Sequence, residues 1–187
     1  MKNICVFCGS SNGLGDSYIG SAKKLGEAIV DSGFGLVYGG ASVGTMGAIA
    51  DSVLEAGGQV TGVIPQSIAD MEVAHTGLTA LEVVADMHQR KARMMRLSDG
   101  FIAMPGGLGT LEEIFEALTW LQLGFHSKPC AVLNTNGYYD KLLAFLDHAS
   151  HQGFAKQSHV DQLLRADTPE EVLKMLVNYT ASFEPKL

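Results

Sequence analysis

Two periodicities alternate along the chain. Short apolar runs of strand length are each followed by stretches in which apolar residues recur every three or four positions, the spacing of one helix face. Residues 3–8 are largely apolar, as a strand covered on both faces would be. Residues 17–32 carry Ile19, Ala22, Leu25 and Ile29 on one stripe and stop at Gly33. A second strand is read at 35–38, and the helix after its glycine-rich turn runs to about Ala56. A third strand at 59–64 is broken by Pro65. Residues 66–78 have no clear period and are expected to form a loop over the site. A fourth strand at 80–85 precedes a basic helix at 86–98, and a fifth strand at 101–104 precedes a helix that Gly124 stops. A sixth strand at 129–133, a helix at 138–150 and a short edge strand at 163–166 follow. Thr168-Pro169-Glu170-Glu171 reads as a capping box with Pro at the first helical position, so a last helix runs to about Tyr179.

Strands alternating with helices at this spacing predict an α/β chain: a Rossmann-like, doubly wound parallel sheet flanked by helices. No linker, repeat or low-complexity stretch interrupts it. Residues 1–180 therefore read as a single nucleotide-binding α/β domain, with 181–187 expected to be a frayed tail. The 187 residues suffice for one core, and 47% hydrophobic with 18% charged is ordinary for a water-soluble domain. The formal charge of −7 argues against a nucleic-acid polymer as partner, which would call for a basic face. The chain enters a strand directly after Met1-Lys2, and no apolar run approaches a membrane span, so no membrane partner and a cytoplasmic location are expected. Cys5 and Cys8 match C-x-x-C, but strand alternation points the two thiols to opposite faces. They suit neither a metal nor a redox pair and read as buried thiols.

Glycines concentrate where strands end. The richest stretch is Pro105-Gly106-Gly107-Leu108-Gly109-Thr110-Leu111-Glu112-Glu113, between the fifth strand and its helix. A parallel sheet places its ligands at such a junction. Glycines let backbone approach a ligand closely, and the helix N-terminus offers unpaired N–H groups to a phosphate. The stretch ends in two carboxylates, which phosphate binding alone would not need. Glu112 shares a helix face with Glu116 and Thr119. Glu113 shares one with Ala117 and Trp120 and is the better candidate for an enclosed carboxylate. First-turn acids that merely complement the helix dipole would look the same, so periodicity leaves both readings open. In the basic helix, Met87, Met94 and Met95 mark a buried stripe, and Arg90 and Lys91 fall near it. Cations there need an anionic partner or must snorkel to solvent, and the pattern does not choose.

Other chemistries find little support. His148-x-x-His151 has metal spacing but no third ligand, and reads as an exposed pair. His88 adjoins Arg90 and carries only a weak indication. No Walker A sequence, G-x-G-x-x-G turn or G-x-S-x-G elbow is present.

Three elements together closely resemble the LOG (LONELY GUY) family, the cytokinin riboside 5′-monophosphate phosphoribohydrolases, often mislabelled lysine decarboxylases. They are Met87-His88-Gln89-Arg90-Lys91, the Pro105–Glu113 motif, and the Gly39-Gly40 turn continuing to Gly44-Thr45-Met46-Gly47. The resemblance extends from Cys5 through Gly124. It implies hydrolysis of the N-glycosidic bond of an adenosine 5′-monophosphate, N6-modified or plain, to free base and ribose 5-phosphate, with no cofactor and no metal. It assigns catalysis to Arg90 and Glu113, and so decides between the two carboxylates. It assigns phosphate binding to Gly106, Gly107, Gly109 and Thr110. Substrate contacts are implied at Lys91, Glu72 and Thr119, and the same site is expected to draw on Gly9, Ser10, Gly39, Gly40, Gly44, Met46, Pro105, Leu108 and Glu112. Two departures stand out: Ala41-Ser42 where a third glycine is common, and Thr45 where Leu is usual. The resemblance also implies a homodimer with sites near the interface. Trp120 and its apolar neighbours would suit that, as they would suit burial within one subunit. The alternative class is a non-catalytic nucleotide or molybdenum-cofactor carrier, which shares glycine turns of this kind but needs no Arg/Glu pair. A pyridoxal-phosphate decarboxylase is disfavoured, since no lysine is evidently placed for a Schiff base beside the glycine loop.

Overall fold

β1 (Asn3–Phe7) lies at the middle of a seven-stranded sheet in which every neighbouring pair is parallel. The structure, a computed structural model, describes residues 1–181 apart from the side chain of Glu72. The tail expected to fray lies, from residue 182 on, outside the described residues. From β1 the sheet grows one way through β2 (Gly35–Tyr38), β3 (Val60–Pro65) and β4 (Ala80–Val84). It grows the other way through β5 (Gly100–Ala103), β6 (Cys130–Leu133) and β7 (Leu163–Ala166). The direction of growth reverses between β1 and β5, so the loops after these two strands diverge and leave a crevice at their carboxyl ends. Ile4 pairs with Leu36 on one side of β1 and with Gly100 on the other.

Alternation along β1 divides the core. Ile4, Val6 and Cys8 face helices α1 (Ser17–Asp31), α2 (Gly44–Glu55) and α8 (Pro169–Val177). Cys5 and Phe7 face α4 (Met87–Leu97), α5 (Leu108–Gln122) and α6 (Asp140–His151). Phe7 stacks on Phe101 with ring centroids 6.0 Å apart. The two thiols of the C-x-x-C are thus on opposite faces, both buried and free. Burial pushes that of Cys8 up to about 12, so it is not a thiolate.

Local chemistry fixes the ends of the helices that matter for the site. Asp86 caps α4, its carboxylate accepting from the Gln89 N–H at 2.8 Å. Arg93 forks onto Glu82 at 2.6 and 2.8 Å, which ties α4 to the edge strand β4. Thr168 caps α8 by accepting from Glu171 N–H at 3.3 Å, but the returning Glu171 carboxylate takes the N–H of Asp167, one residue before the cap. Residues 66–78 hold more structure than the sequence foretold: α3 (Gln66–Ile68) and a π turn (Ala69–Val73). A further turn of helix, α7 (Gln157–Val160), was also not foreseen. His148 and His151 sit exposed at the end of α6, and no cluster of three His, Cys, Asp or Glu able to hold a metal occurs among the described residues. No helix among them is long and apolar enough to cross a membrane.

Candidate active site

The crevice between β1 and β5 opens into a cavity of about 490 Å³. The loop after β1 supplies Cys8, Gly9 and Ser10. The loop after β2 supplies Gly39, Ala41 and Val43, with Met46 from α2. The N-terminal part of α4 supplies Met87 and Arg90, and the start of α5 supplies Gly107 to Thr110, Glu112 and Glu113. Thr45 fastens the floor. Its hydroxyl accepts from the Gly9 N–H and donates to the Gly9 carbonyl, both at 3.0 Å. At the position where the resemblance leads one to expect Leu, the chain thus carries a hydroxyl that satisfies both polar groups of one glycine. Gly44 packs on the same loop with φ +63°, and a Cβ there would come within 2.3 Å of the Ser10 carbonyl carbon.

Residues 66–78 fold back over this floor. Ser42 N–H donates to the Val73 carbonyl at 2.8 Å, His75 N–H donates to the Gly40 carbonyl at 2.9 Å, and Ala41 and Ala74 form an antiparallel bridge. Ile68, Met71 and Val73 are thereby held against the cavity. A third glycine in place of Ala41 or Ser42 would loosen the strap that does this.

Arg90 and Glu113 come together inside. Nη2 of Arg90 lies 3.7 Å from Oε1 of Glu113, with the side chains 11% and 8% exposed. The arginine is loosely held otherwise: Nη1 faces the Met87 sulfur at 3.6 Å, and the buried Nε has no hydrogen-bond partner among the described residues. Burial pushes the Glu113 carboxyl up to about 7, against the pull of Arg90 and Lys91 and with help from Glu112 and Glu116. Such a group changes charge near neutral pH, as acid/base chemistry requires. Beside it, α5 begins at Leu108 with no side-chain cap. Its first free N–H groups point out of the helix end, since the Leu111 N–H already binds the Gly107 carbonyl at 3.2 Å.

The other expected site residues fall in three places. Gly9, Ser10, Gly39, Met46, Gly107, Leu108, Gly109, Thr110 and Glu112 line the cavity. Pro105 and Gly106, with Gly9, Ser10 and Gly107, line an adjoining hollow of about 300 Å³ edged by Tyr18 and Tyr138. The Tyr138 hydroxyl donates to the Gly106 carbonyl at 2.6 Å, and the Tyr139 hydroxyl donates to that of Met104 at 2.6 Å, so the turn after β6 grips the glycine loop. Gly40 and Gly44 stand behind the lining. Lys91 is buried beside it, paired with Glu112 and, at 3.2 Å, with Glu116. Thr119 is exposed about three turns along α5, outside both hollows. The Glu72 side chain lies outside what the structure describes.

Met87 departs from the expected buried stripe. It is 39% exposed and lines the cavity, one turn before Arg90 at the start of α4. Sequence reasoning also passed over the Tyr138–Tyr139 pair. Adjacent tyrosines after a β6 turn carried the signal, but only their hydrogen bonds reveal the purpose.

Residues 46–176 match the family model described as "Possible lysine decarboxylase". A cytokinin riboside 5′-monophosphate phosphoribohydrolase of Rhodococcoides fascians is 54% identical over 82% of this chain and 78% of its own length. One of Arabidopsis thaliana is 45% identical over 98% and 85%, and a probable one of Oryza sativa is 46% identical over 97% and 81%. Among solved structures, a molybdenum cofactor binding protein of Rippkaea orientalis matches with a TM-score of 0.69 at 25% identity, covering 95% of this chain and 99% of that one. The molybdenum cofactor carrier protein of Chlamydomonas reinhardtii matches with a TM-score of 0.70 at 22% identity, covering 96% and 100%.

Proposed function

The chain belongs to the LOG family of cytokinin riboside 5′-monophosphate phosphoribohydrolases, and from that premise we propose that it hydrolyses N6-modified adenosine 5′-monophosphate to free base and ribose 5-phosphate. The observation that carries the reading is the enclosed Arg90–Glu113 pair beside an uncapped helix N-terminus. The relatives at 45–54% identity are phosphoribohydrolases, whereas the carrier proteins share the fold at about half that identity. A carrier has no use for a carboxyl held near neutrality in its pocket.

The reaction breaks the bond between C1′ of the ribose and a ring nitrogen of the base. The bonding electrons leave with the base, the sugar becomes oxocarbenium-like, and water adds to C1′. Ionised Glu113 stabilises the sugar cation and takes a proton from the attacking water, as carboxylates do in glycoside hydrolysis. That proton passes on through solvent to the ring nitrogen of the departing base, which leaves the base neutral and Glu113 ionised again. Arg90 holds Glu113 in its charged form and offers positive charge to the departing base in a water-poor site. The phosphate sits at the start of α5, against the N–H groups of Leu108 to Thr110. Binding there positions the bond without taking part in its cleavage. Lys91 acts behind this line by neutralising Glu112 and Glu116, so Glu113 is not crowded by two free carboxylates. Because Glu113 acts ionised and its carboxyl lies at about 7, kcat/KM is expected to rise with pH through that region.

Exposed Leu108, Phe125, Phe145 and Phe154 give the surface apolar area that a homodimer would cover. Three buried free thiols fit a cytoplasmic setting. The test is incubation with AMP and with isopentenyladenosine monophosphate, free base being measured by chromatography. Base release that Glu113→Gln lowers by about 10²–10³-fold is the expected result. Nucleotide binding with no release from either substrate would overturn the hydrolase.

A further inference from the structure

Gly39 has no backbone reason to be glycine. Its φ is outside the left-handed region, unlike that of Gly40 at +81°. What its missing side chain leaves is room. A Cβ at this position would stand 1.9 Å from Nη2 of Arg90, 3.1 Å from Cζ of Arg90 and 2.4 Å from Cε of Met46. The methionine end could swing away. The guanidinium can yield only by leaving its place opposite Glu113, into the cavity that it lines.

The bonding of Arg90 makes that room decisive. Among the described residues its Nε has no partner, Nη1 meets a sulfur and Nη2 reaches Glu113 at 3.7 Å, longer than a hydrogen bond. Directional bonds therefore do little to aim it. We propose that Gly39 is a positioning residue for the reaction: the guanidinium of Arg90 lies across the bare Cα of Gly39, and this contact sets its place opposite Glu113. Gly39 then serves catalysis through Arg90 and need not touch the nucleotide. The inference rests on the hydrolase reading of Arg90. A shift of about 1 Å in a group of this kind costs on the order of 10²-fold in rate.

A double-mutant cycle on the full chain tests it, with base release from isopentenyladenosine monophosphate as readout. Lysine ends in one nitrogen where arginine ends in a fork, so Arg90→Lys leaves space over residue 39. Gly39→Ala is expected to lower kcat about 100-fold with little change in KM when residue 90 is Arg. In the Arg90→Lys background the same substitution is expected to cost less than about threefold. An equal loss in both backgrounds, or no loss with Arg present, would overturn the proposal. If Gly39→Ala alone does not fold, folding of Gly39→Ala/Arg90→Lys supports it. Failure of both to fold assigns the glycine to the backbone and overturns it. Absence of base release by the unsubstituted protein would instead sink the hydrolase reading itself.

Discussion

In the proposed reaction, Glu113 ties turnover and stability to the same proton. Its removal as Glu113→Gln is expected to lower kcat by about 10²–10³, the usual loss for one electrostatic stabiliser, with the fold intact by circular dichroism. Its carboxyl is raised in the folded protein, so the native state holds the proton more tightly than the unfolded chain does. Stability due to this group is therefore lost as pH rises from about 4.5 to about 7 and is constant above that. Relative to Glu113→Gln, the unsubstituted protein should lose up to about 3 kcal/mol across this window, read from urea denaturation at each pH. A gap that stays flat between pH 4 and 8 would show that burial does not hold the proton. Thr45 offers a different contrast. Thr45→Val keeps the shape but leaves the N–H of Gly9 without its partner and its carbonyl with only the Met46 N–H at 3.2 Å. The expected cost is about 1–3 kcal/mol of stability, measured by the same denaturation. Unchanged stability would mean the loop does not need the hydroxyl. These two residues differ in legibility. The depth of Glu113 was hinted at by its helix face and assigned by resemblance. The use of Thr45 was invisible, because a residue that satisfies a distant backbone leaves no period in the sequence.

Among the elements, α4 is the one on which the site depends most, since it carries Arg90 and Lys91 on successive positions and is held at its start by Asp86. Asp86→Ala should destabilise by about 1 kcal/mol and lower kcat as well, because fraying begins one turn before Arg90. A loss of stability with kcat unchanged would separate the cap from the site. The seven strands and the six longer helices among the described residues were legible, because their apolar runs and stripes are separated by polar turns, most of them marked by Gly or Pro. The cavity's apolar wall was not. Residues 66–78 have no period, and what fastens them is the backbone pairing of 40–42 with 73–75, which composition does not encode. Met87 was misread for a related reason. It keeps helical spacing with Met94, but spacing alone cannot tell a core position from the wall of a cavity.

The proposed site lies at the junction of two half-sheets, and nucleotide bound there should brace both halves. At a concentration a hundred times Kd, AMP is expected to add about 2.7 kcal/mol and raise Tm by about 5–10 °C, read by thermal unfolding. No shift would place nucleotide binding elsewhere or nowhere. The strand order has a second consequence, for synthesis on the ribosome. β1 is made first, and its neighbours β2, β3 and β4 follow in sequence, but its other neighbour, β5, ends only at Ala103. Any sheet that forms before then leaves the central strand of the sheet with one edge bare. Unpaired edges invite pairing with other chains. The interval between translation of residues 84 and 103 is thus the nascent chain's vulnerable period, and a pause there would expose it longest.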